Sequence, residues 1–170
     1  RNRMELVDIL RCKRESGPRE IVFSKDGKYA YILFELINKV GVFTYKDTDK
    51  GPEFELIQLV EPLSDQLDPM HDCGAAMTMS PDGKYLFTST AGDNSVAMFS
   101  INPEDGKLTK EFALPISGEY PKDIALFPDG KHLASINHEG SISFFKIDYE
   151  KGLLVMSDRS IKVNEPNCCE

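Results

Sequence analysis

Three short segments of this chain carry the same text: Ile21-Val-Phe-Ser-Lys-Asp-Gly-Lys-Tyr29, Met77-Thr-Met-Ser-Pro-Asp-Gly-Lys-Tyr85 and Ile124-Ala-Leu-Phe-Pro-Asp-Gly-Lys-His132. Each reads as a short apolar strand followed by an Asp-Gly turn, in which glycine tolerates the positive φ of a tight hairpin. A repeat constrains a fold more than any single element does, because each unit buries its apolar faces only against its neighbours.

The turn glycines Gly27, Gly83 and Gly130 stand 56 and 47 residues apart, which suits β-propeller blades of roughly 40–50 residues. The longer first period reflects an insertion around Glu61 to Met70, where Pro62 and Pro69 predict a loop. After the turn, each unit continues into a second strand, Tyr29–Leu33 or Tyr85–Ser89. A third strand follows at Lys39–Tyr45, Ser95–Ile101 or Ser141–Ile147, with alternate residues apolar. Asp-rich turns such as Asn102-Pro-Glu-Asp-Gly106 and Asp148-Tyr-Glu-Lys-Gly152 lead to a fourth. No stretch has helical periodicity. The expected fold is therefore all-β: a partial β-propeller of about three four-stranded antiparallel blades, at 17–65, 71–119 and 120–167. Residues 1–16, with Met4 to Lys13 at their centre, read as the outer strand of a preceding blade. Three blades do not close a ring. The expected partners are thus the remaining blades, from an upstream segment or a second copy of the chain.

Composition narrows the function. With 41% hydrophobic and 28% charged residues the chain has ordinary globular usage. A net charge of −8 without a basic patch argues against nucleic acid and anionic membrane as partners. No apolar run reaches the roughly 18 residues of a membrane span, and the first residues lack a signal-peptide pattern, so a cytoplasmic location is expected. Cys12, Cys73, Cys168 and Cys169 include no C-x-x-C pair, and the histidines lack zinc-ligand spacing. The site residues are accordingly read as non-metal, with no cofactor, and the cysteines as reduced bystanders.

Repeat symmetry picks out candidate residues. Equivalent positions in successive blades lie at equivalent radii, so loops at one mouth converge on the axis. Eight residues before the turn glycine stand Arg19, Ala75 and Lys122, and eight after it Glu35, Ala91 and His138. Arg19, Glu35, Lys122 and His138 are expected to form a polar cluster near the axis, with Glu20, Asp123 and Asn137 within reach. His71 and His132 read as surface residues, and Tyr29, Tyr31, Phe43 and Phe99 as blade packing.

The motifs Gly17-Pro-Arg19, Ser24-Lys-Asp-Gly-Lys-Tyr-Ala-Tyr31 and Phe34-Glu35-Leu36 are similar to those of the lactonase family of seven-bladed propellers, whose members include bacterial 6-phosphogluconolactonases and carboxymuconate cyclases. The likeness continues through Met79–Leu86, Ser95–Ile101, Gly106–Leu108, Tyr120–Asp123 and Phe127–Gly130. The resemblance implies that this is the C-terminal half, ending at Asn164-Glu-Pro-Asn-Cys168, and that the other half carries a further cleft histidine. It implies hydrolysis of an anionic sugar-acid lactone, with Arg19 binding the anion and Glu35 as base or water-orienting group. Substrate contacts from Lys122, His138 and Glu20 follow on position. The chain departs from the family text at Glu20, Phe34, Ala91 and Lys122. Those departures motivate an alternative, a catalytically degenerate propeller that binds a metabolite or protein partner. A carboxymuconate-type cyclase is a third.

Overall fold

In the computed structural model, which describes residues 3–63, 72–157 and 160–168, thirteen strands form three antiparallel sheets, with no helix among the described residues. Blade 1 comprises β1 (Pro18–Phe23), β2 (Tyr29–Phe34), β3 (Lys39–Thr48) and β4 (Gly51–Val60), in that spatial order. Blade 2 repeats the order with β5 (Cys73–Met79), β6 (Tyr85–Ala91), β7 (Ser95–Ile101) and β8 (Leu108–Pro115). Blade 3 has β9 (Pro121–Leu126), β10 (His132–Asn137), β11 (Ser141–Asp148) and β12 (Leu153–Met156), with β13 (Ile161–Lys162) also pairing with β11. The inner strands meet: β1 contacts β5, and β5 contacts β9.

The Asp-Gly turns use one local chemistry. Gly27, Gly83 and Gly130 have φ of 68°, 75° and 64°. In blade 1 the Ser24 hydroxyl donates to Asp26 (2.7 Å) and accepts from the Tyr29 amide (3.0 Å), and blade 2 repeats this with Ser80, Asp82 and Tyr85. The Ser24 hydroxyl and Lys28 hold the Asp26 carboxyl down to about 2. In blade 3 Phe127 replaces the serine, and Asp129 instead meets the His132 ring at 2.7 Å.

Alternating side chains give blade 2 two apolar faces. Met77, Leu86, Phe99 and Leu108 pack with Tyr31, Leu33, Val40 and Val42 of blade 1. Ala76, Phe87, Met98 and Phe112 pack with Ile124, Leu133, Phe145 and Ile147 of blade 3. The 102–107 turn of blade 2 latches the first seam, where the Tyr31 hydroxyl donates to the Gly106 carbonyl (3.0 Å) and the Tyr29 hydroxyl to that of Glu104 (3.1 Å). Tyr31 and Phe99 are fully buried, Phe43 is buried, and Tyr29 is half-buried.

The outward face of blade 1 leaves Ile21, Phe23 and Leu56 exposed, and blade 3 leaves Phe127, Leu153 and Val155 exposed. Residues 3–13 form no strand and join none of the three sheets. Met4, Leu6, Val7 and Ile9 remain exposed there, while Cys12 packs on Ala30, Ile32 and Phe34 of blade 1. Most of the 61–70 insertion, His71 and Cys169 lie outside the described residues.

Gly106 and Gly27 separate two costs of a side chain at positive φ. An added Cβ at Gly27 meets no atom within 4 Å, whereas at Gly106 (φ 70°) it would come within 2.4 Å of the Tyr29 ring. Gly27→Ala is expected to destabilise by about 1 kcal/mol, the cost of the left-handed conformation alone. Gly106→Ala adds overpacking of about 1–3 kcal/mol at the blade seam. Denaturant unfolding of the two variants checks this, and equal losses would contradict the latch.

Candidate functional site

The site begins with a repeated break in register. Between β1 and β2, Pro18 opposes Phe34 and Glu20 opposes Leu33, so Arg19 is the extra residue of a β-bulge. Ala75 occupies the same place between Gly74 and Ala76 in blade 2, and Lys122 between Pro121 and Asp123 in blade 3. Bulges bend a strand and re-aim a side chain. Here each bulge lies at the mouth opposite the Asp-Gly turns, at the start of the inner strand.

At the blade 1 bulge the guanidinium bridges two blades. Arg19 Nε donates to the Ala75 carbonyl at 2.7 Å, and Nη1 donates to Glu35 Oε2 at 3.1 Å. The side chains retain 43% and 33% exposure, so the pair is open to solvent and to ligand. Arginine presents five N–H donors in a fixed fork, and two are taken by these contacts. Glu35 stands just beyond β2, with its backbone tied on both sides. Its N–H donates to the Gly17 carbonyl (2.7 Å), and its own carbonyl accepts from Asn38 (3.3 Å) and from Gly74 of blade 2 (3.2 Å).

Glu20 reaches across the same seam, accepting a hydrogen bond from the Met77 amide at 2.7 Å. Burial raises its carboxyl above the ordinary value, the Met77 bond lowers it, the Asp123 charge raises it and Arg19 lowers it. Asp123 of blade 3 is therefore within electrostatic reach of Glu20 of blade 1. A shallow cleft of about 250 Å³ opens beside Arg19 and Glu20, lined also by Leu10, Cys12 and Ile21.

Arg19, Glu35 and Glu20 thus come together at the blade 1–blade 2 seam. Lys122 and His138 are not joined to them by any hydrogen bond or ion pair among the described residues. His138 is exposed, its amide donates to the carbonyls of Glu119 and Tyr120 (both 3.0 Å), and its ring lies 5.5 Å from that of Tyr120. Asn137 does not reach the cleft. It is fully buried, accepting from the Ser135 hydroxyl and donating to those of Ser141 and Ser143. The sequence reading missed the Ala75 carbonyl and the Met77 amide, because a backbone contact leaves no residue-type signal. Among the described residues no group of three His, Cys, Asp or Glu side chains is placed to hold a metal ion, and no helix is long and apolar enough to cross a membrane.

Residues 2–170 match the family model described as "Lactonase, 7-bladed beta-propeller". The chain belongs to the lactonase family. It is 31% identical over 154 residues to the 6-phosphogluconolactonase of Bacillus subtilis, covering 90% of this chain and 43% of that protein. The 6-phosphogluconolactonase of Formosa agariphila is 32% identical over 164 residues, at 95% and 45% coverage. Among solved structures, the periplasmic gluconolactonase PpgL of Pseudomonas aeruginosa superposes with a TM-score of 0.83 at 25% identity, covering 93% of this chain and 43% of that one. A Lactobacillus plantarum protein superposes with a TM-score of 0.84 at 29% identity, covering 94% and 46%. The chain spans less than half the length of the curated relatives it matches.

The environment of Glu20 makes a test of its electrostatics. Its native carboxyl holds a proton more tightly than the unfolded chain, whose value is near 4.5, so its ionisation costs stability as pH rises from 4.5 through the raised native value. Glu20→Gln keeps an oxygen for the Met77 amide and removes that charge. Thermal melts across pH should show the variant more stable than wild type at pH 7, with the gap closing in acid. A less stable variant at neutral pH would mean that the Arg19 attraction outweighs desolvation.

Proposed function

We propose that this chain supplies one wall of the cleft of a lactone hydrolase of the 6-phosphogluconolactonase type. The observation that carries this reading is the solvent-open Arg19–Glu35 pair, set on a β-bulge at one mouth of a lactonase-family propeller. Nε is committed to the Ala75 carbonyl, which fixes the guanidinium plane and leaves Nη2 and part of Nη1 for an anionic oxygen. Arginine suits bidentate capture of phosphate or carboxylate. In the reaction, Glu35 accepts a proton from water as the water oxygen bonds to the lactone carbonyl carbon. The carbonyl electrons move onto oxygen, where a cationic donor stabilises the charge. They return as the ring C–O bond breaks, and the leaving oxygen takes up the proton to give the hydroxy acid.

Lys122, His138 and Glu20 are assigned to substrate contacts on their place around the same mouth. The outward faces carrying Ile21, Phe23 and Leu56, and Phe127, Leu153 and Val155, would be covered by the remaining blades of the whole protein. A second reading, a binding propeller without turnover, has one observation in its favour. Ala91, at the blade 2 position equivalent to Glu35, is a buried apolar residue that brings no polar group.

Turnover of 6-phosphogluconolactone by the whole protein, followed spectrophotometrically, tests the first reading. Arg19→Ala and Glu35→Gln are each expected to lower kcat/KM by roughly 10²–10³. Unchanged rates would remove both residues from the chemistry. No turnover by wild type, together with thermal stabilisation by phosphorylated sugar acids, would select the binding reading.

A further inference from the structure

Behind the Glu35 turn, between blades 1 and 2, lies a buried polar cluster that the Arg19–Glu35 chemistry does not use. Asn38, in the β2–β3 turn at a φ of 43°, is 4% exposed. Facing it from blade 2 are Thr88, Thr90 and Ser95, all essentially inaccessible. Ladder register places them together: Thr90 is the Cα partner of Ser95, and Thr88, two residues back on β6, is the partner of Ala97. Thr90 Oγ1 approaches Asn38 Oδ1 at 3.5 Å, the outer limit of a hydrogen bond.

The remaining polar atoms of this cluster, Asn38 Nδ2, Thr88 Oγ1 and Ser95 Oγ, are buried without a protein hydrogen-bond partner among the described residues. Each such atom costs on the order of 1–3 kcal/mol, so three in one seam are a large fraction of a domain's usual stability of about 5–15 kcal/mol. Around them the seam is apolar, with Leu33, Val40 and Ala97 in its core cluster. Strand β5 places Gly74 opposite Thr90 and Met77 opposite Thr88, and an added Cβ at Gly74 would come within 2.9 Å of Leu33 and 3.4 Å of Asn38 Oδ1. The unmet groups are one amide donor and two hydroxyls, each of which donates or accepts. That set matches a water molecule, which needs two to four polar partners.

We propose that an ordered internal water is bound between blades 1 and 2 by Asn38 Nδ2 and Ser95 Oγ, with Thr88 Oγ1 completing the set. The Asn38 backbone N–H donates to the same Glu35 carbonyl that accepts from the Gly74 N–H. The water therefore ties the Glu35 turn to the second blade through side chains, where Gly74 ties it through backbone.

The test combines a high-resolution crystal structure of the whole protein with thermal melts of Thr88→Val and Ser95→Ala. Neither residue lies in the proposed catalytic set, and the outcome does not depend on which reaction the protein performs. A density peak within hydrogen-bond distance of Asn38 Nδ2 and Ser95 Oγ is expected. With the water bound, each variant strands a partner, and at least one should lower Tm by about 2–4 °C. Removing a hydroxyl that bonds nothing leaves Tm unchanged or raises it. An empty seam in the map, or no loss of Tm in either variant, overturns the proposal.

Discussion

Blade 2 is a sheet only four strands wide with two apolar faces, and everything else follows from the need to cover both. Met77, Leu86 and Phe99 on one side and Phe87, Met98 and Phe112 on the other cannot be buried by folding that sheet alone. They require a sheet on each side, and the repeat provides one before and one after. Lateral stacking then fixes the angular order of the blades, brings β1, β5 and β9 to the inside, and points every Asp-Gly turn to the same mouth.

The site is a by-product of that stacking. Three of its hydrogen bonds run between blades: from Arg19 to the Ala75 carbonyl, from the Met77 amide to Glu20, and from the Gly74 N–H to the Glu35 carbonyl. Each uses the entry of an inner strand, where the bulge turns one residue out of register. Because the bulge recurs at Ala75 and Lys122, the same backbone device is present in each of the three described blades, and only the side chain decides what it offers. A seam contact reaches from one blade to the next, which is how Arg19 of blade 1 finds the Ala75 carbonyl of blade 2.

The repeat and its strands were legible because their determinants are local: an Asp-Gly pair that needs positive φ, and alternation that marks a strand. Strand ends moved by a few residues, as at β3, which runs on to Thr48. The Arg19–Glu35 juxtaposition was legible from repeat offsets, since antiparallel strands return the chain to the mouth it left. The bulges were not, because a register shift is a property of two strands and leaves no mark in either. Asn137 was misplaced for a related reason. Its offset puts it near the mouth, but Ser135, Ser141 and Ser143 satisfy it inside the blade. The outer-strand reading of residues 1–16 depends on a preceding blade, which the described residues do not include, because a strand exists only beside another strand.

Lactone chemistry at this mouth requires Arg19 and Glu35 to form the polar wall of a ligand cleft rather than a pair that merely ties two loops. A crystal structure of the whole protein with bound 6-phosphogluconate measures this directly. An anionic oxygen of the ligand is expected within hydrogen-bond distance of the Arg19 guanidinium, with Glu35 facing the carboxyl carbon. A ligand bound elsewhere, with the Arg19–Glu35 pair unchanged and remote from it, would contradict it.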